Sequence, residues 1–160
     1  MGERLTHIDE EGRARMVDVG GKPATAREAL ARGRVRMRAE TLARALAGDA
    51  PKGDVRAVAE IAGVMAGKRA AELIPLCHPI ALSNLIVTVA PDETLPGFAV
   101  TARARASGQT GVEMEALTAV AVACLTLYDM LKAIDRDMAI EEVCLAEKHG
   151  GASGSYTRTP

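Results

Sequence analysis

The chain has 160 residues, a formal net charge of −1, 26% charged residues and 2% aromatic residues. That is the size of one domain able to bury its own core, so a single domain over residues 1–160 is expected. With no basic excess to neutralise phosphates and almost no aromatic platform for stacking bases, nucleic-acid binding is disfavoured.

Residues 31–38, ARGRVRMR, alternate strictly. Arg32, Arg34, Arg36 and Arg38 fall on one face and Ala31, Gly33, Val35 and Met37 on the other, as in a half-exposed strand. The arginine face suits phosphate binding, but a strand face rich in charge also guards a sheet edge against pairing, which is the preferred reading. A short helix is expected at 39–47, followed by the turn GDAPKG. Asp54 then caps a helix on which Val55, Val58, Ile61, Ala62 and Met65 recur at helical spacing. That helix is expected to end at Pro75, which has no amide to donate and disfavours helical geometry at Ile74.

Two strands, at about 83–90 and 97–106, flank the turn-rich PDETLPG and form a hairpin. In the second, Phe98, Val100, Ala102 and Ala104 alternate with Thr101, Arg103 and Arg105. GQTG leads into a long helix from about 112 to 134, residues 138–148 form the last strand, and a flexible tail is expected from about 149. Leaving out the short helix, the order is β-α-β-β-α-β, that of a ferredoxin-like two-layer α+β sandwich. The segment AVAVACLTLYDML in the long helix is apolar on almost every side. One sheet cannot cover it, so a second copy of the chain is the expected supplier of the missing layer; cover by loops and the short helix is the alternative.

The residues suited to chemistry lie near helix ends. His78 sits in LIPLCHP on a loop fixed by Pro75 and Pro79, where a histidine can exchange protons near neutral pH or simply be held by backbone hydrogen bonds. Lys52 stands just before a helix start, a position that makes an anion site or else a solvated loop lysine. On the long helix Glu115, Thr118, Thr126, Asp129 and Lys132 form one polar stripe. Asp129 and Lys132 are three apart and can touch, and their apolar neighbours point to burial. Glu113 fits both that group and a T-x-x-E capping box with Thr110.

Cys77, Cys124 and Cys144 are odd in number, far apart and without a CxxC pair, so neither a disulfide framework nor a zinc site is indicated. His7, His78 and His149 are equally dispersed, and no metal ligand set is expected. The opening MGERLTHIDEEG is charged, and no 18-residue apolar run free of charges occurs; a soluble, cytoplasmic protein without a membrane partner is expected.

Five strings carry a resemblance: MVDVG at 16–20, KGDV at 52–55, AAELIPLCHP at 70–79, TGVEMEALTA at 110–119 and LYDMLKA at 127–133. Together, in order, they resemble the cyclic pyranopterin monophosphate synthase family of molybdenum cofactor biosynthesis, over nearly the whole chain. The resemblance implies a ferredoxin-like subunit in a homohexamer built as a trimer of dimers, with the pocket at the dimer interface. It implies a lyase that rearranges 3′,8-cyclo-7,8-dihydro-GTP to cyclic pyranopterin monophosphate with loss of pyrophosphate, downstream of a radical S-adenosylmethionine enzyme.

By position, the family's catalytic residues match Lys52, Asp129 and Lys132. Its substrate-binding segments match Leu76, Cys77 and His78, with His78 also a candidate catalyst, and Glu113, Met114 and Glu115. Arg27 and Lys148 match basic residues near the pocket. The family's tail usually reads GGKSG, whereas this chain has Ala152 where that lysine stands. Proton transfers among lysines and a carboxylate, without redox change, suit such a rearrangement, and no bound cofactor is required. The alternative is a non-catalytic ferredoxin-like module that binds a nucleotide. Lys52, His78, Asp129 and Lys132 in one pocket would favour the enzyme, and scattered positions the module.

Overall fold

Backbone pairing carries the first strand further than its alternating side chains suggest. In the computed structural model, which describes residues 8–9 and 11–159, β1 spans Thr25–Arg36. There follow α1 (Ala39–Leu46), α2 (Val55–Gly67), the single turn α3 (Ala70–Leu73), β2 (Leu82–Asp92), β3 (Gly97–Gly108), α4 (Glu113–Leu131), β4 (Ala139–His149) and β5 (Tyr156–Thr157). All pairings are antiparallel, in the order β2-β3-β1-β4-β5. This is the expected ferredoxin-like α+β arrangement with one return strand added. His7 lies outside the described residues.

The period-2 patterns place the core. Ala29, Ala31 and Val35 of β1 and Phe98, Val100, Ala102 and Ala104 of β3 are completely buried. Arg32 and Arg36 face solvent on the opposite side, as read. The reading of the arginines as edge guards is corrected, because β1 is bonded on both sides. Arg34 pairs with Glu141 and Glu142 of β4, Arg36 with Glu141, and Glu28 of β1 with Arg103 and Arg105 of β3. Opposite charges across neighbouring strands of this kind contribute about 0.2–1 kcal/mol each.

Asp54 caps α2 as expected, its Oδ1 accepting from Arg56 N and Ala57 N, both at 3.1 Å. The helix nevertheless stops at Gly67, well before Pro75, and two turn residues separate it from α3. Up to that point its glycines let it approach α4 closely. A Cβ on Gly63 would lie 2.9 Å from the Ala119 carbonyl oxygen, and one on Gly67 would lie 3.0 Å from that of Glu115. α2 thus buries Ala59, Gly63, Ala66 and Gly67, while Val58, Ile61 and Met65 face outward at 43%, 61% and 53% exposure. Of the five residues read at helical spacing, only Val55 is fully buried.

α4 has the length and apolar composition to cross a bilayer, but here it is the central helix, packed on β1, β3 and β4 and flanked by α2, which itself lies against β2. α2 covers part of the apolar surface of α4 from beside it, and Leu125 is the large apolar residue that α4 leaves exposed. Residues 150–154 turn back, with Gly154 N donating to Gly151 O, and β5 pairs Tyr156 with Lys148 and Thr157 with Glu147.

Asp135, almost fully buried, ties the segment after α4 to the start of α1. Its Oδ2 accepts from Arg38 N at 3.0 Å and Thr41 Oγ1 at 2.9 Å, and its Oδ1 from Asp137 N at 3.2 Å. Burial alone would push this carboxyl up; the bonds from Arg38, Thr41 and Asp137 and the Arg38 charge outweigh burial and hold it below 3.8. Asp135→Ala leaves buried donors unmatched and is expected to cost about 2–3 kcal/mol in urea unfolding at pH 7. A depressed carboxyl stabilises fully above its unfolded value, so the gap between wild type and variant should narrow as pH falls below 3.8. An equal gap at pH 7 and at pH 3 would show that the ionised form is not what stabilises the fold.

Candidate active site

The C-terminal end of α4 presents Asp129 one turn before Lys132, its C-cap residue. Lys132 Nζ lies 2.7 Å from Asp129 Oδ1, and Lys52 Nζ, from the loop before α2, lies 2.6 Å from Oδ2. Lys52 is thus an ion-pair partner and not a freely solvated loop residue. The bond from Lys132, then that from Lys52, hold the Asp129 carboxyl down at about 2. The expected burial of the pair is absent: Leu127, Met130 and Leu131 face the core, while the Asp129 side chain is 54% exposed. Two ammonium groups on one carboxylate leave a net positive centre, able to receive an anion and to exchange protons with a ligand.

At the other end of α4, Glu113 and Met114 line a cleft of about 430 Å³ together with Leu76, Cys77 and His78. The loop carrying the last three leaves α3 through Ile74 in extended geometry before Pro75, as the sequence required. His78 Nε2 donates to the Val17 carbonyl at 2.6 Å, so this histidine is both held by backbone and placed on the cleft wall. The capping-box reading of Glu113 is corrected. The N-cap residue is Val112 without a side-chain bond, and the Glu113 carboxylate meets Lys148 Nζ at 2.9 Å.

Glu115 is 3% exposed. Cys77 Sγ–H donates to its Oε1 at 3.8 Å, and among the described residues its buried Oε2 has no partner. Burial pushes the Glu115 carboxyl up, and burial followed by the Glu115 charge pushes the Cys77 thiol up. Of the rest of the polar stripe, Thr118 is buried and Thr126 donates to Val122 O within its own helix. Lys148 also donates to Ser153 Oγ at 3.0 Å, next to Ala152. Arg27 donates from Nε to Gly108 O at 3.1 Å and lies over Gly151 (φ +84°), where a Cβ would fall 1.8 Å from Arg27 Nη1.

The site residues therefore form two groups. Lys52, Asp129 and Lys132 meet at one end of α4. Leu76, Cys77, His78, Glu113, Met114 and Glu115 gather at the other, with Lys148 joined through Glu113. Sixteen residues from Glu113 to Asp129 correspond to about 24 Å along a helix axis. One chain does not place His78 with the other three catalytic candidates. The cleft also contains Val17, Val19 and Lys22, to which the sequence assigned no chemical role; the string MVDVG signalled Val17 and Val19, and nothing signalled Lys22.

The charge balance of the Asp129 group can be tested directly. In a carbon-detected NMR titration, Asp129 is expected to lose its proton near pH 2, and Lys52→Ala should move that midpoint up toward 3.8. A midpoint indifferent to Lys52 would remove the lysine from the group.

Known proteins share this arrangement of sequence. Proteins named cyclic pyranopterin monophosphate synthase from Brucella ovis, Brucella melitensis biotype 2 and Brucella abortus are each 57% identical over 156 residues, covering 98% of this chain and 94% of theirs. The model of the MoaC family matches residues 16–151. That span begins before the cleft wall at Val17, includes both ends of α4 and closes at the glycine under Arg27, and the chain belongs to the MoaC family.

Proposed function

We propose that the protein is a cyclic pyranopterin monophosphate synthase, a lyase of molybdenum cofactor biosynthesis that converts 3′,8-cyclo-7,8-dihydro-GTP to cyclic pyranopterin monophosphate and pyrophosphate. The observation that carries this is near-full-length likeness to proteins of that name, with Lys52 and Lys132 both paired to Asp129. Opening the purine-derived ring and closing a pterin require proton transfers at several atoms, and closing the cyclic phosphate requires positive charge around the departing pyrophosphate anion. The Lys52, Asp129 and Lys132 group supplies both. Leu76, Cys77, His78, Glu113, Met114 and Glu115 hold the ring system, with His78 a further proton carrier, while Arg27 and Lys148 add positive charge.

Because the two groups lie about 24 Å apart along one helix, the working site is assigned to two chains, the Glu115 end of one beside the Asp129 end of the other. The exposed Val58, Ile61, Met65 and Leu125 support an oligomer, here taken as a hexamer of three dimers. The chain acts as one domain in the cytoplasm, on substrate delivered by a radical S-adenosylmethionine enzyme. A non-catalytic nucleotide-binding module has one observation in its favour, the separation of His78 from Asp129 within a chain.

Incubating the pure protein with the cyclised dihydro-GTP is expected to yield pyrophosphate and a pterin, and Lys132→Ala to abolish both with thermal unfolding unchanged. Binding without turnover by the wild type would favour the module. The shared site has its own check: co-refolding inactive Glu115→Ala with inactive Lys132→Ala should restore part of the activity, since some mixed dimers hold one intact site. No recovery in oligomers proven mixed by mass spectrometry would return both groups to one chain.

A further inference from the structure

The tail that folds back after β4 reaches β1 through two glycines to which the function above gives no role. We propose that Gly151 is a positioning residue for substrate binding, its bare Cα being the seat that aims the Arg27 guanidinium. The proposal rests on the reading of Arg27 as a group that meets the substrate, and deepens it by naming what sets its direction.

Gly150 and Gly151 turn the chain away from β4 in left-handed geometry, at φ +94° and +84°. Gly150 comes up against the backbone of β1, where a Cβ would fall 2.1 Å from the Ala26 carbonyl oxygen. Gly151 comes up against the next side chain along, where a Cβ would fall 1.8 Å from Arg27 Nη1. The turn is held from beyond by Gly154 N donating to Gly151 O at 3.1 Å and by the pairing of Tyr156 with Lys148.

Arg27 is thereby confined at two points. Its Nε donates to Gly108 O at 3.1 Å, and its Nη1 rests over Gly151. Among the described residues it has no carboxylate partner, since neighbouring Glu28 is taken by Arg103 and Arg105, so its charge is left for an anion. The atom that a methyl group at 151 would strike is the tip of a flexible side chain, and it is the guanidinium, not the sheet, that would give way. A retreat of roughly 1.5 Å to ordinary contact is enough to break the bond to Gly108 O.

The test uses the full-length protein and compares Gly151→Ala with Gly154→Ala. The latter carries the same kind of backbone strain, at φ +70°, but its Cβ would meet nothing within 4 Å. Exchange of the Arg27 Nε–H proton with water, followed by NMR and assigned by loss of the signal in Arg27→Lys, is expected to quicken about tenfold or more in Gly151→Ala and to stay within about threefold of wild type in Gly154→Ala. With the cyclised dihydro-GTP, Gly151→Ala should raise KM about tenfold and change kcat by less than about threefold, whereas Gly154→Ala should change neither by more than about threefold. Added to Arg27→Ala, Gly151→Ala should leave KM within about threefold of Arg27→Ala alone, because the group being aimed is gone. Equal effects of the two glycine variants on exchange and KM, or a full further rise in KM on top of Arg27→Ala, would overturn the assignment and reduce Gly151 to a turn residue. A wild type that makes no pterin, with Arg27 exchange quickened in Gly151→Ala alone, would sink the proposed activity and leave the seat standing.

Discussion

The close approach of α2 to α4 is the constraint from which the rest of the site follows. Gly63 and Gly67 have no side chain to hold the helices apart, so α2 runs antiparallel along α4 with backbone near backbone. The N-terminal end of α2 then delivers Lys52 to Asp129, and its C-terminal end delivers the Cys77–His78 loop to Glu115 and Glu113. The distance between the two groups is set by helix length, not by any loop. A side chain at either glycine would push against the carbonyls of Ala119 or Glu115 and move both ends at once.

The two ends of α4 hold carboxyl groups in opposite conditions. Helix polarity alone would favour an ionised Glu115 near the N-terminus and a less acidic Asp129 near the C-terminus. Both are the reverse. Two lysines hold Asp129 down at about 2, and burial pushes Glu115 up. Direct contacts and desolvation outweigh the dipole, leaving one end as an exposed charged cluster and the other as a carboxyl shielded from water. A site joining the two would combine a strongly acidic carboxyl with one that holds its proton more readily than a free carboxyl.

Much of this was legible in the chain. Strict alternation in β1 and β3 identified their buried faces, since a two-residue period leaves little choice of side. The spacing of Asp129 and Lys132 was enough to place them in contact. The inner face of α2 was hidden, because its buried residues are Ala and Gly while its larger apolar residues, Val58, Ile61 and Met65, look outward. The break after Gly67 has no local proline to announce it. The central position of β1 depends on long-range pairing, which alternation cannot report. Lys22 had no signal because residues 17–22 lack periodicity and are held through the carbonyls of Val17 and Gly20, groups that any sequence possesses.

With no tryptophan and two tyrosines, the protein carries two optical reporters in useful places. Tyr128, half-buried beside Asp129, donates its hydroxyl to Arg136 O at 3.0 Å. Tyr156 lies in the return strand against Lys148, 42% exposed. Near-ultraviolet absorption and emission therefore come from the lysine–aspartate end of the long helix and from the folded-back tail, without interference from the interior. A purine-derived ligand absorbing at longer wavelength would be seen against an almost transparent protein, and the two phenols would register its arrival from opposite ends of the molecule.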